Sequence, residues 1–478
     1  MRFWSRSKAL SIAPPALIIL AGVTATGFAY WPGLMTWDAV RQYDQAISGA
    51  FDDWHPPVME WLWRQLIPLH AGPAPMLLLQ LTLFWGGLAL LAGWALRERR
   101  HGLAVALAAC GLLPIALALT GAVLKDCLMA GALLSATGLL AWQTHGQTYG
   151  RRPAARVMIP TLAIILLILA ATLRFNAFLA GVPIIVALMP AAARRGLLRV
   201  AGTSTIAAIV LIFALPVANR LIGAQSSGVE MSLVIFDLGG ITEHSGVDAF
   251  PPLAVADPVS VNHQCYSPVK WDPYSWWVDE PCAIGFADAR AAIAARHESP
   301  YAFLARAILK HPVAYAEHRL AHFNINTRFL VHDEIERPVQ VESAPNDWGY
   351  RVPPNALLSA IDGVALASAH TPLDWPIVWL ALAFGVLTIA GNLPSRGIVI
   401  PVALSALLYG LGYSVFSVAA ELRYHLWTML ATAIALAITA ADLMRENSGV
   451  SRQRLFWGFT PAMTVTALCI GWRLIPGL

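Results

Sequence analysis

Apolar residues in this chain are gathered into blocks of about 20, the length an α-helix needs to cross a bilayer. A soluble core would show narrower stripes. Hydrophobic residues make up 57% of the chain and charged residues 13%, so the reading is an all-α polytopic membrane protein. Eleven spans are expected, at roughly 10–30, 76–96, 103–123, 127–143, 158–173, 177–193, 200–221, 374–393, 398–418, 424–443 and 455–473. The stretch from Met158 to Ala192 is long enough for two spans, with Arg174 and Asn176 marking a short turn between them. A single tilted helix there would reverse everything downstream.

Basic residues set the orientation, because Lys and Arg are retained on the cytoplasmic side. They gather at Arg2, Arg6 and Lys8, at Arg97, Arg99 and Arg100, and at Arg151, Arg152 and Arg156. Further groups lie at Arg194, Arg195 and Arg199, and at Arg445, Arg452 and Arg454. Alternate loops then fall outside: 31–75, the Lys125-Asp126 turn, 223–370, and the C-terminus. An odd seven spans before the large loop keeps this pattern consistent, which supports the turn at Arg174. Met1 to Lys8 is like the start of a signal peptide, but Pro14-Pro15 and the lack of a small-residue cleavage site favour a retained first helix. The net charge of +4 reflects the loop asymmetry and gives no sign of nucleic-acid binding.

The expected organisation is an N-terminal membrane module of seven helices over 1–222, an extracytoplasmic domain over 223–370, and a C-terminal module of four helices over 371–478. The exterior segment between spans seven and eight is too long for a connecting loop and reads as a small mixed domain. Its first half, including MSLVIFDLGGITEHSG, looks irregular, and Ala287–His297 and Tyr301–Thr327 have helical composition. Cys265 and Cys282 are close enough in sequence to staple it in an oxidising compartment. Cys110, Cys127 and Cys469 sit in apolar segments as inert thiols. Trp271, Trp276 and Trp277 suit either stacking on sugar rings or resting at the membrane interface. No nucleotide-binding fingerprint or internal repeat is present.

Ionisable groups at membrane ends are costly and become functional candidates where several share a side. Four sets do so. The first outer loop, 31–75, carries Asp38 just after span one, then Asp44, Asp52, Asp53 and His55. Lys125 and Asp126 form the second, at a turn too short to dilute them, though Asp126 also suits a helix N-terminus. Arg174 and Asn176 form the third, a forked cation and an amide able to hold a phosphate, or an Arg snorkelling to headgroups. The fourth is Glu421, Arg423, Tyr424 and His425. Acids with an Arg, a Lys and a His at one face suit group transfer from an anionic, lipid-linked donor, with a carboxylate as base and cations neutralising the leaving group.

Together, the acid after the first span, the Lys-Asp turn, the Arg-x-Asn-Ala after span five and the late Glu-x-Arg-Tyr-His resemble the GT-C superfamily of polytopic glycosyltransferases, among them lipid A aminoarabinose transferases and protein O-mannosyltransferases. The resemblance covers about two thirds of the chain. It implies a GT-C-like fold in a bacterial inner membrane, with the active site facing the periplasm. A polyprenyl-phosphate sugar would be the donor, a lipid, glycan or protein the acceptor, and the attack inverting. Asp38 would be the base, with Asp53 and Asp126 as further catalytic acids and Asp126 orienting Lys125 or the acceptor. Lys125, Arg174 and Arg423 would bind the lipid phosphate, and His55, Asn176, Glu421 and His425 would contact the substrate. The family's adjacent acidic pair is missing, since Ala39 follows Asp38; Asp52 with Asp53 is the only substitute, and a divalent ion, Mg or Mn, is left open. Two alternatives remain. One is a surface-polysaccharide polymerase or ligase using Arg290, Arg296, Arg306, Arg319 and Arg328; the other is a lipid or solute transporter or flippase.

Overall fold

The computed structural model describes every residue except 1, 150–152, 333–340, 446–448 and 476–478. Its helices, in chain order, begin with α1 Arg2–Tyr30, α2 Trp37–Ser48, α3 Val58–Leu66, α4 Ala74–Arg97, α5 His101–Ala109, α6 Pro114–Thr120 and α7 Lys125–Tyr149. They continue through α8 Pro153–Leu173, α9 Phe178–Leu188, α10 Leu197–Ile222, α11 Glu230–Ser245, α12 Pro258–Cys265 and α13 Phe286–Ala295. The last are α14 Pro300–Lys310, α15 Pro312–Asn326, α16 Ala356–Ala369, α17 Pro376–Ala390, α18 Arg396–Phe416, α19 Leu426–Leu443 and α20 Arg452–Leu474. Among the described residues there is no strand ladder, only three isolated bridges.

Among the described residues, eight helices are long and apolar enough to cross a membrane, and nine if α5 and α6, bent by 57° at the break before Pro114, make one span. The protein is therefore a multi-pass helical membrane protein. The segments expected to span at 177–193 and 374–393 are shorter, Phe175–Leu188 and Pro376–Ala390. At 1.5 Å per residue each covers roughly 20 Å, short of the ~30 Å hydrocarbon core.

The chain divides into two compact units. The first holds Met1–Gln225, Ile335–Gly410 and Arg423–Leu468. Its centre is α7, buried along almost its whole described length and packed closely on α4. Small residues allow that approach, as usual between helices in lipid. A Cβ on Gly87 would strike the backbone at Leu134 and Ser135, and one on Gly138 would strike Leu90. At one end, Arg100 donates to Asp442 Oδ1 at 2.7 Å, and Asp442 Oδ2 accepts from Ser395 N–H at 2.8 Å. These bonds tie the start of α5 to the α17–α18 turn and the end of α19.

The second unit holds Ser226–Glu334, Leu411–Leu422 and Cys469–Leu478. Helices α11 to α15 fill it, which corrects the expectation of a mixed domain. The MSLVIFDLGGITEHSG stretch, expected to be irregular, is the buried helix α11. Its Gly239-Gly240 pair does not break the helix: a Cβ at those positions would meet Tyr274 and the His318 ring, so the glycines serve close packing. Within this helix Asp237 is ion-paired with Arg319 and lies 3.1 Å from His318 Nε2; His318 Nδ1 is 2.9 Å from Tyr266 Oη. Cys265 and Cys282 are joined by a disulfide.

Candidate functional site

The candidate site belongs to the first unit and is assembled by backbone pairing between distant loops. Leu34 N–H donates to Gly121 O at 3.2 Å, and Val123 N–H donates to Leu34 O at 2.9 Å. The start of loop 31–75 is thereby stitched to the turn ahead of α7. Gln80 of α4 holds the same turn from the other side. Its amide donates to Thr120 O and Ala122 O at 2.8 and 2.9 Å and accepts from Leu124 N–H at 3.3 Å. Thr36 caps α2 through Ala39 N–H at 3.2 Å, which sets Asp38 in the first helical turn. Lys125 and Asp126 open α7, and Arg423 lies in the short turn Leu422–His425 before α19. Farther along the loop, Gln225 N–H donates to Phe51 O at 2.9 Å and Asp53 N–H to Gln225 O at 3.0 Å, fixing the backbone just before His55.

These elements converge on Asp38. Its Oδ2 accepts from Lys125 Nζ at 2.8 Å and from Arg423 at 3.0 Å. Burial alone would lift the Asp38 carboxyl, but Arg423 and Lys125, with a smaller pull from His55, hold it well below the usual carboxylate range. His55 Nδ1 lies 3.2 Å from Lys125 Nζ. An ammonium only donates, so Nδ1 accepts and the proton of the neutral ring sits on Nε2, 3.8 Å from Asp38 Oδ1. Burial and the Lys125 charge push the His55 pKa down to about 3, so the ring adds no charge at neutral pH.

A second ion pair lies beside this one in sequence. Asp126, fully buried, pairs with Arg174. The Arg174 guanidinium also stacks over Tyr424, 4.1 Å from the ring centroid. Asn176, in the short turn Phe175–Ala177, is fully buried, and among the described residues neither atom of its amide has a hydrogen-bond partner. His425 is buried at the start of α19, while Glu421 belongs to the second unit.

The Asp52-Asp53 pair, the expected substitute for a metal-holding motif, is otherwise engaged. Asp52 pairs with Arg41 at 2.5 Å and accepts from Trp54 N–H at 2.9 Å. Among the described residues, no group of three or more His, Cys, Asp or Glu side chains is placed to hold a metal ion.

The sequence reading passed over Glu60. It is fully buried in α3, with the Gln42 amide as its polar neighbour. Burial, with the Asp52 charge behind it, pushes its pKa up to about 8 against the opposing pull of Arg41 and Lys125. The available signal was local: Val58, Met59 and Trp63 are the buried face of this helix, and Glu60 shares it. No protein-family model matches the chain, and no curated protein does.

Proposed function

We propose that this protein is an integral membrane glycosyltransferase of the GT-C type, moving a sugar from a polyprenyl-phosphate donor to an acceptor hydroxyl on the outer face of a bacterial inner membrane. The observation that supports it best is Asp38 gripped by Lys125 and Arg423. One carboxylate with two cations is a site held ready for an anion, because a phosphate can replace the carboxylate as their counterion. With the donor bound, Lys125 and Arg423 turn to the phosphate and Asp38 loses the charges that kept it a weak base. The acceptor oxygen then attacks the anomeric carbon and passes its proton to Asp38. The anomeric C–O bond breaks with its electron pair going to the phosphate oxygen, where the two cations neutralise the growing charge. Attack opposite the leaving group inverts the anomeric centre. Asn176, with its free amide, and the Asp126–Arg174 pair border the same segment and would hold the phosphate or a sugar hydroxyl.

The same reading has the chain cross eleven times, and contacts within the first unit support it. Arg174 pairs with Asp126, next to Lys125 at the Asp38 cluster. Gln225 pairs with the loop carrying Asp53, which fits a chain that leaves this face after Arg174 through the short helix Phe175–Leu188 and returns by α10. Likewise Ala344 N–H donates to Met35 O at 2.7 Å, while Ser395 meets Asp442 and Arg100 at the opposite end; this fits a crossing by α17 between them. Local thinning of the bilayer accommodates helices this short.

The polymerase or ligase alternative leaned on arginines of the large loop, and four of these are engaged within their own unit. Arg319 pairs with Asp237, Arg296 and Arg306 share Glu298, and Arg290 donates to Ser227 O. The test is sugar transfer by the purified protein in lipid from a panel of polyprenyl-phosphate sugars, with membrane extract as acceptor, with and without EDTA. The wild type transfers, and Asp38→Asn loses at least about a hundredfold. An equally active Asp38→Asn removes the assigned base, and transfer from no donor removes the transferase reading.

A further inference from the structure

The second unit carries an aromatic surface that the Asp38 chemistry does not use. Trp276 and Trp277, 60% and 47% exposed, meet edge to face, with ring centroids 4.8 Å apart and planes inclined by 75°. Behind them lie buried partners, Trp271 5.1 Å from Trp277 and Phe286 5.3 Å from Trp276. The loop that presents the pair is rigidly mounted. The Cys265–Cys282 disulfide closes it, Cys282 N–H donates to Pro273 O at 2.9 Å, and the buried Tyr274 hydroxyl donates to Asn262 at 2.7 Å. Its other flank is held by Trp271 N–H on Val418 O at 3.0 Å and Ala420 N–H on Val269 O at 2.9 Å. Two exposed indoles fixed in this way lose little freedom on binding a ligand.

The charges beside them select the ligand. Lys270 is 3.5 Å from Asp272, and Asp279 and Glu280, which come after Val278, are exposed. Tryptophans that anchor a protein in headgroups belong to a belt in which Lys or Arg meets lipid phosphate; two free carboxylates there oppose an anionic leaflet. Exposed acids close in sequence to exposed indoles suit a polyol instead: one ring can cover its C–H face while the other borders it, and the acids accept from its hydroxyls or from an ammonium. We infer that Trp276 and Trp277, with Asp279 and Glu280, form a docking platform for a saccharide chain that is neutral or amine-bearing. The name acceptor for that saccharide rests on the transferase reading; the binding itself does not.

Titration calorimetry on the full chain in nanodiscs tests this with three probes: maltohexaose, a chitosan hexamer, and an oligogalacturonate as the anionic control. The neutral or amine-bearing probe binds and the anionic one does not. Replacing both tryptophans by Ala weakens binding at least about tenfold, replacing both by Phe largely preserves it, and Asp279→Asn with Glu280→Gln weakens the amine-bearing probe most. Asp38→Asn keeps the binding while losing transfer, so a failed transferase reading and a failed platform give different results. Binding by none of the probes, or equal binding by the double Ala variant, overturns the inference. So does quenching of these two tryptophans by brominated lipid in the disc, which would place them in the bilayer.

Discussion

Asp38 is a weak base for as long as Lys125 and Arg423 hold it, and this gives the site a pH signature. For the proposed transfer, the acid limb of kcat/KM would report the carboxyl of the unliganded protein, where the two cations depress it. Removing one lifts it, so Lys125→Gln moves the acid limb to higher pH and raises the KM for donor; an unmoved limb in the pH–rate profile would mean that Lys125 does not set Asp38. Glu60 gives the opposite sign in stability. Its folded value of about 8 lies above that of an unfolded Glu, so the folded chain holds a proton that the unfolded chain releases. Its contribution is present at acid pH and is lost as pH rises towards 8. Glu60→Gln, with no proton to lose, therefore melts increasingly above the wild type from about pH 4.5 to 8, by up to about 1.4 kcal/mol per pH unit, and a constant gap across a pH series of thermal melts would contradict this. Asp38, Lys125 and Arg423 were legible in the sequence because charge beside an apolar span is conspicuous. Glu60 was not, because one acid in a short amphipathic helix looks the same whether it faces water or the interior.

At the scale of elements, the turn before α7 is what brings Lys125 to Asp38. Its backbone is paired on one side by Leu34 and on the other by Gln80. Gln80→Ala leaves buried carbonyls of that turn unpaired, which costs about 1–3 kcal/mol and lowers transfer through misplacement of Lys125; a thermal melt and an assay that both match wild type would refute the pinning role. A polar residue in the middle of α4 reads in the sequence only as a tolerated interruption, since its three partners lie some 40 residues away. The helices of the membrane part were legible from their apolar blocks, but two of them were drawn too long. In the second unit, the helices at 286–326 were legible from composition, whereas α11 was not. Gly-Gly in α11 suggests a break, and only the packing of Tyr274 and His318 against it explains why a helix carries glycine there.

For the whole molecule, the proposed reading puts the Asp38 face outside, on the side opposite the Lys and Arg clusters. A single cysteine at exposed Asp44, in a variant lacking the three free cysteines, should react with an impermeant maleimide in intact cells, and one at exposed Arg396 only after permeabilisation; the reverse pattern would invert the topology. That the cluster draws on residues 38, 125 and 423 was beyond sequence spacing to establish, because the loop pairings that join them are backbone bonds any residue can make. The direct measurement is the affinity for a polyprenyl phosphate without sugar. If the carboxylate and the phosphate compete for the same two cations, Lys125→Gln and Arg423→Gln each weaken binding about tenfold or more, while Asp38→Asn tightens it. Cation variants that bind like wild type, or an Asp38→Asn that binds more weakly, would contradict the account.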